Sequence, residues 1–81
     1  MKKNVYFAID YYDRKVIQLI IDKYNFEPMD ATRSFLLSKT HLLLENAEYG
    51  LLSLSEFAVF DMWESERITG EPKNSIYIRG E

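Results

Sequence analysis

Apolar residues recur at spacings of three and four from Val5 onward, through Ile9, Tyr12, Val16, Leu19 and Ile20. That period is the stripe of an amphipathic helix and predicts a first helix over about 4–24. An alternative for the same stretch makes Tyr6 to Ile9 a short strand and starts the helix at Asp13, with Asp13 as its cap. Asn25-Phe26-Glu27-Pro28 breaks the pattern: a residue before proline is pushed out of the helical region, while Pro28 suits the first turn of a new helix. The next segment, 28–46, carries Ala31, Phe35 and Leu42 on one face and Leu36 and Leu43 on a neighbouring one. Ser38-Lys39-Thr40 lies in its middle. Ser and Thr favour caps over helix interiors, so the segment bends there or divides into about 28–37 and 39–46. Asn46 and Gly50 supply stop signals. Ser53-Leu54-Ser55-Glu56 has the form of a capping box and predicts a last helix over 54–68, ended by Gly70 and Pro72. Ser75-Ile76-Tyr77-Ile78-Arg79 alternates enough for a short strand or an extended tail over 75–79. The pattern as a whole predicts an all-α single domain over 1–81, with three helices, or four if the second segment is broken at Ser38.

On a helical wheel the first helix carries more apolar surface than one stripe, because Tyr6, Ile17, Ile21 and Tyr24 form a second band beside the main one. The last helix goes further. Leu54, Phe57, Ala58, Val59, Phe60, Met62 and Trp63 surround its axis, with Glu56 and Asp61 as polar interruptions. A helix apolar nearly all round is normally buried on several sides. Two readings compete for the surplus. In one, the tail around Ile76, Tyr77 and Ile78 wraps over the last helix and the remainder is ordinary exposed apolar surface. In the other, a second face is an interface, most simply in a two-fold homodimer. Tyr6, Ile17, Ile21, Phe57, Phe60, Met62, Trp63 and Tyr77 are the interface candidates, since aromatic residues and methionine are enriched in interface cores.

Composition strengthens the second reading. At 81 residues the chain sits near the lower size for a self-sufficient core, and it contains no cysteine. With one histidine as well, disulfides and a Cys/His zinc staple are closed, which leaves association as the common remaining route to stability. The twelve aromatic residues and the 47% hydrophobic fraction are those of a chain that folds. Asp10, Asp13, Arg14 and Lys15 interrupt the amino-terminal apolar stretch too early for a signal peptide or a membrane span, so no membrane partner is expected and the cytoplasm is the expected compartment. A net charge of −3 with scattered Lys and Arg argues against direct nucleic-acid binding.

Candidate chemistry is sparse. His41 stands alone on a leucine-rich stretch with no evident nucleophile or orienter, so a surface or capping role is expected in place of catalysis. Asp10 with Asp13, and Asp61 with Glu64, lie three apart on helices and would share a metal or a proton only if they converged; the Glu-x-x-His pair typical of helical di-metal sites is missing. Glu64-Ser65-Glu66-Arg67 has the pattern of a solvated face, with Glu64 and Arg67 spaced for a weak ion pair. As the recognition helix of a helix-turn-helix, neither later segment is basic enough: 28–46 offers Arg33 and Lys39, and 54–68 only Arg67. No cofactor is expected.

The segment Ala31-Thr32-Arg33-Ser34-Phe35-Leu36-Leu37-Ser38-Lys39-Thr40, followed by Leu43-Leu44, resembles a pattern in small uncharacterised helical proteins of Gram-positive bacteria, with an Ala-x-x-x-Phe turn before a Ser-x-Thr restart. Some families similar to these are encoded near toxin–antitoxin genes. The resemblance covers about a third of the chain, implies a helical interaction module, and carries over no functional residue. The expected function is therefore non-enzymatic protein–protein association, as a homodimer or an adaptor or antitoxin-like partner. A nucleic-acid-associated regulator of helix-turn-helix type is the alternative, and an enzyme stands behind both.

Overall fold

A computed structural model of the chain describes residues 2–46 and 54–75, with side chains described from Ile9 onward. Among these residues it is an all-α arrangement of four helices: α1 (Lys2–Tyr24), α2 (Pro28–Leu36), α3 (Lys39–Glu45) and α4 (Glu56–Thr69), followed by a 3-10 turn at Pro72–Asn74. The first helix is continuous from Lys2, so the alternative of a strand at Tyr6 to Ile9 is not what forms. The expected tail or strand over 75–79 lies, apart from Ser75, outside the described residues.

Each break has a local cause. Asn25 follows α1 with φ of 58°, the left-handed conformation that ends helices and that asparagine tolerates better than most side chains, and its amide donates to the Ile21 carbonyl. Glu27 is then extended, as a residue before proline should be, and Pro28 opens α2. The second segment is broken at Ser38. The Ser38 hydroxyl donates to the Phe35 carbonyl at 2.6 Å and accepts from the His41 amide at 3.1 Å, so one side chain closes α2 and caps α3. Gly70, with φ of 83°, ends α4.

Two sequence expectations require correction. The last helix starts at Glu56, not at 54, and its cap is Ser55, whose hydroxyl accepts from the Ala58 amide at 3.2 Å. Glu56 is thereby the first helical residue and not the third; Ser53, on which the expected capping box rests, lies outside the described residues. The second concerns Leu42, which was expected to share a face with Ala31 and Phe35. The restart at Ser38 resets the helical phase, so Leu42 is exposed and Leu44 enters the core instead.

The core joins Tyr12, Val16 and Ile20 of α1 to Ala31 and Phe35 of α2, Leu44 of α3, and Val59, Phe60, Met62 and Trp63 of α4. The long α1 packs against both α2 and α4, while α4 also carries α3 and the 3-10 turn. Ile17 and Ile21, from the second band of α1, are half-buried against this core, together with Ile9, Leu19, Phe26, Leu43 and Leu54. Much of the apparent apolar surplus is thus absorbed because α1 and α4 are each packed on more than one side.

Candidate interaction surface

The polar groups nearest the core hold helices together. Glu66 of α4 accepts from the amides of Lys39 and Thr40, each at 2.9 Å, and from the Thr40 hydroxyl at 2.8 Å. With Ser38 on the third amide, the amino-terminal end of α3 is satisfied by its own cap and by a carboxylate from another helix. Lys39 in turn donates from Nζ to the Gly70 carbonyl at the end of α4. His41 is buried, contrary to a surface placement. Its Nε2 lies 2.9 Å from Asp13 Oδ1 on α1 and its Nδ1 3.3 Å from Glu45 Oε1, while Phe35 packs edge-on against the ring. The hydrogen bond to Asp13 holds the imidazole above its ordinary range, against the opposing effect of burial, and the charges of Asp13 and Glu45 add to it. Both ring nitrogens are engaged by carboxylates, so neither is presented to a substrate.

The spaced carboxylates do not converge either. Asp13 is on His41 whereas Asp10 pairs with Arg14 at 2.7 Å; Asp61 accepts from the Ser75 hydroxyl at 2.5 Å, whereas Glu64 accepts from Lys23 Nζ at 2.6 Å and from the Tyr24 hydroxyl. The expected Glu64–Arg67 ion pair is replaced by this interhelical arrangement. Arg67 instead lies over the rings of Tyr24, Phe26 and Trp63, its Cζ 5.2, 5.2 and 5.0 Å from their centroids. Lys23 and Lys39 thus donate to groups on α4, and the Arg67 guanidinium lies on the rings.

The predicted interface residues separate into three groups. Phe60, Met62 and Trp63 are core residues, with Met62 and Trp63 essentially inaccessible, so they are withdrawn as interface candidates. Ile17 and Ile21 are half-buried against the same core. Tyr6 and Tyr77 lie outside the described side chains. Phe57 alone remains on the surface, 57% exposed, at a groove of about 220 Å³ between α1 and α4 lined by Lys15, Gln18, Leu19 and Glu56. The concavity continues along α1 past Tyr11 and Arg14, and Tyr11 is exposed there.

Other apolar residues are exposed outside this groove. Met29 and Leu36 lie seven apart on α2, opposite the face that buries Ala31 and Phe35; Leu37, Leu42 and Ile68 are exposed as well. Their signal was available in the spacing of Met29 and Leu36 once Ala31 and Phe35 were taken as the buried face.

The fold and this surface define a small all-α domain with apolar side chains on an outer groove, and among the described residues no helix is long and apolar enough to cross a membrane. Neither a family model, a curated protein nor a solved structure matches the chain.

Proposed function

We propose that the chain is a non-enzymatic interaction module that pairs with a second copy of itself across the α1–α4 groove. The observation that carries this reading is Phe57: every other large apolar side chain of α4 between 58 and 63 is buried, and this one stands beside Leu19 in an open groove. The rim is self-complementary. Lys15 of α1 and Glu56 of α4 both line the groove and carry opposite charges, so a two-fold axis over it that brought Lys15 of one copy to Glu56 of the other would pair them twice. Tyr11, Arg14 and Gln18 extend the same face along α1, and Tyr and Arg are among the residues interfaces favour. An adaptor or antitoxin-like protein would present the same surface to a different chain. His41, engaged at both nitrogens, supports a structural role in place of catalysis.

Analytical ultracentrifugation over a concentration series tests the pairing. The wild-type chain is expected to sediment as a dimer at high micromolar concentration, and Phe57→Asp as a monomer with unchanged helicity. A wild type that stays monomeric throughout defeats the homodimer. Because Phe57 is exposed, its substitution separates association from folding, which Phe60 or Trp63 could not do.

A further inference from the structure

We propose that Arg67 is the docking point for a carboxylate on an acidic segment of a partner protein, held ready by an aromatic box at the carboxy-terminal end of α4. Tyr24, Phe26 and Trp63 pack on one another edge to face, with centroids 5.8 to 6.3 Å apart, and Trp63 is backed by the stacked ring of Phe60 at 6.0 Å. The guanidinium rests on all three rings. Such packing restricts a side chain that otherwise loses much rotamer freedom on binding, so less is lost when a ligand arrives.

Among the described residues the Arg67 guanidinium has no hydrogen-bond acceptor and no ion-pair partner. The obvious one, Glu64, is one turn away on α4 and is taken by Lys23 and Tyr24. A planar fork of N–H groups without an acceptor matches a carboxylate in two-pronged geometry. Tyr24 and Arg67, the exposed members of the group, are of the residue types that dominate interface energies, while buried Trp63 supports them from beneath. The site lies about 15 Å along α4 from Phe57, taking 1.5 Å of rise per residue, and is independent of the proposed pairing.

Trp63 is the only tryptophan, so its fluorescence reports directly on the box. The full chain is titrated with acetyl-Glu-Leu-Glu-Leu-amide, with the Gln-for-Glu peptide, and with inorganic phosphate at matched ionic strength. A saturable change with the Glu peptide alone is expected. Arg67→Lys, which keeps the charge but loses the fork, is expected to weaken it by about ten-fold or more, with helicity retained. No saturable change with wild type, an equal response to the Gln peptide, or undiminished affinity in Arg67→Lys overturns the proposal. Saturation by phosphate at the same concentrations overturns the assignment to an acidic protein segment. The comparison of Glu and Gln peptides on wild type stands even if a variant fails to fold.

Discussion

A single hydroxyl at Ser38 ends α2 and starts α3, and that role follows from residue type alone because serine competes well for backbone groups at helix ends. The second cap of α3 could not be seen the same way. Glu66 is 26 residues from Thr40, so only the fold brings its carboxylate to the Lys39 and Thr40 amides. Replacing it by alanine leaves those partners without a charged acceptor, at a cost on the order of 2 kcal/mol. For a domain of this size that is a fall in Tm of roughly 10 °C. Thermal melting by circular dichroism checks it, and a Glu66→Ala melt superimposable on wild type rejects the cap. His41 makes a pH prediction. Its folded-state pKa is raised, so the protonated ring is favoured by folding; that stabilisation is full below the unfolded value of about 6.5 and is lost as pH rises through the higher folded value. The Tm is expected to decline across that window, and Asp13→Asn is expected to flatten the decline while lowering the His41 midpoint followed by proton NMR. A steeper slope in Asp13→Asn would contradict the assignment.

At the scale of elements, the helix ends show how far local signals reach. Pro28, Ser38 and Gly70 stand at boundaries because each fixes or permits a backbone conformation irrespective of the rest of the chain. The start of α4 was misplaced because Ser53 and Ser55 are both acceptable caps and the pattern Ser-x-x-Glu favours the former on paper. The observed choice places the Glu56 carboxylate in the first turn, where it still interacts well with the helix dipole. Ser55→Ala is expected to cost about 1 kcal/mol. Gly70 is tested more directly. A Cβ there meets nothing within 4 Å, so the effect of Gly70→Ala is backbone strain alone, about 1 kcal/mol, and Gly70→Asn should lose less. Equal stability of the alanine variant and wild type in urea would show that the left-handed turn is not maintained in solution.

Over the described residues, the aromatic side chains divide between the core, the outer groove with Phe57 and Tyr11, and the edge-to-face group of Tyr24 and Phe26 on Trp63. Trp63 and Phe57 were grouped together as interface candidates, yet they should behave oppositely. Trp63→Ala empties a buried site and is expected to cost about 3–5 kcal/mol, whereas Phe57→Asp, on the surface, should change monomer stability by less than about 0.5 kcal/mol. If the chain pairs through Phe57, wild-type Tm rises with protein concentration and Phe57→Asp removes that dependence, because association stabilises the folded state by mass action. A concentration-independent wild-type Tm, measured across a hundred-fold range, would speak against pairing. The wheel could not separate the two residues, since α4 is apolar on nearly every side and its own sequence does not say which side a neighbour covers.

The sequence by itself determined the all-α class, the number of helices to within the choice at Ser38, and the stops before Pro28 and Gly70, but not which serine opens α4. Those depend on apolar spacing within a few turns and on residues that cap or forbid helix at their own position. Tertiary structure alone decided which apolar side chains go inside and which partners the charged groups take. Leu42 lost its place to Leu44 when the helix restarted, Glu64 chose Lys23 at a separation of 41 residues over Arg67 one turn away, and His41 was drawn inward by Asp13 across 28 residues. The physical reason is the same in each case: burial and pairing are set by which helix faces meet, and a helix carries no record of its neighbours.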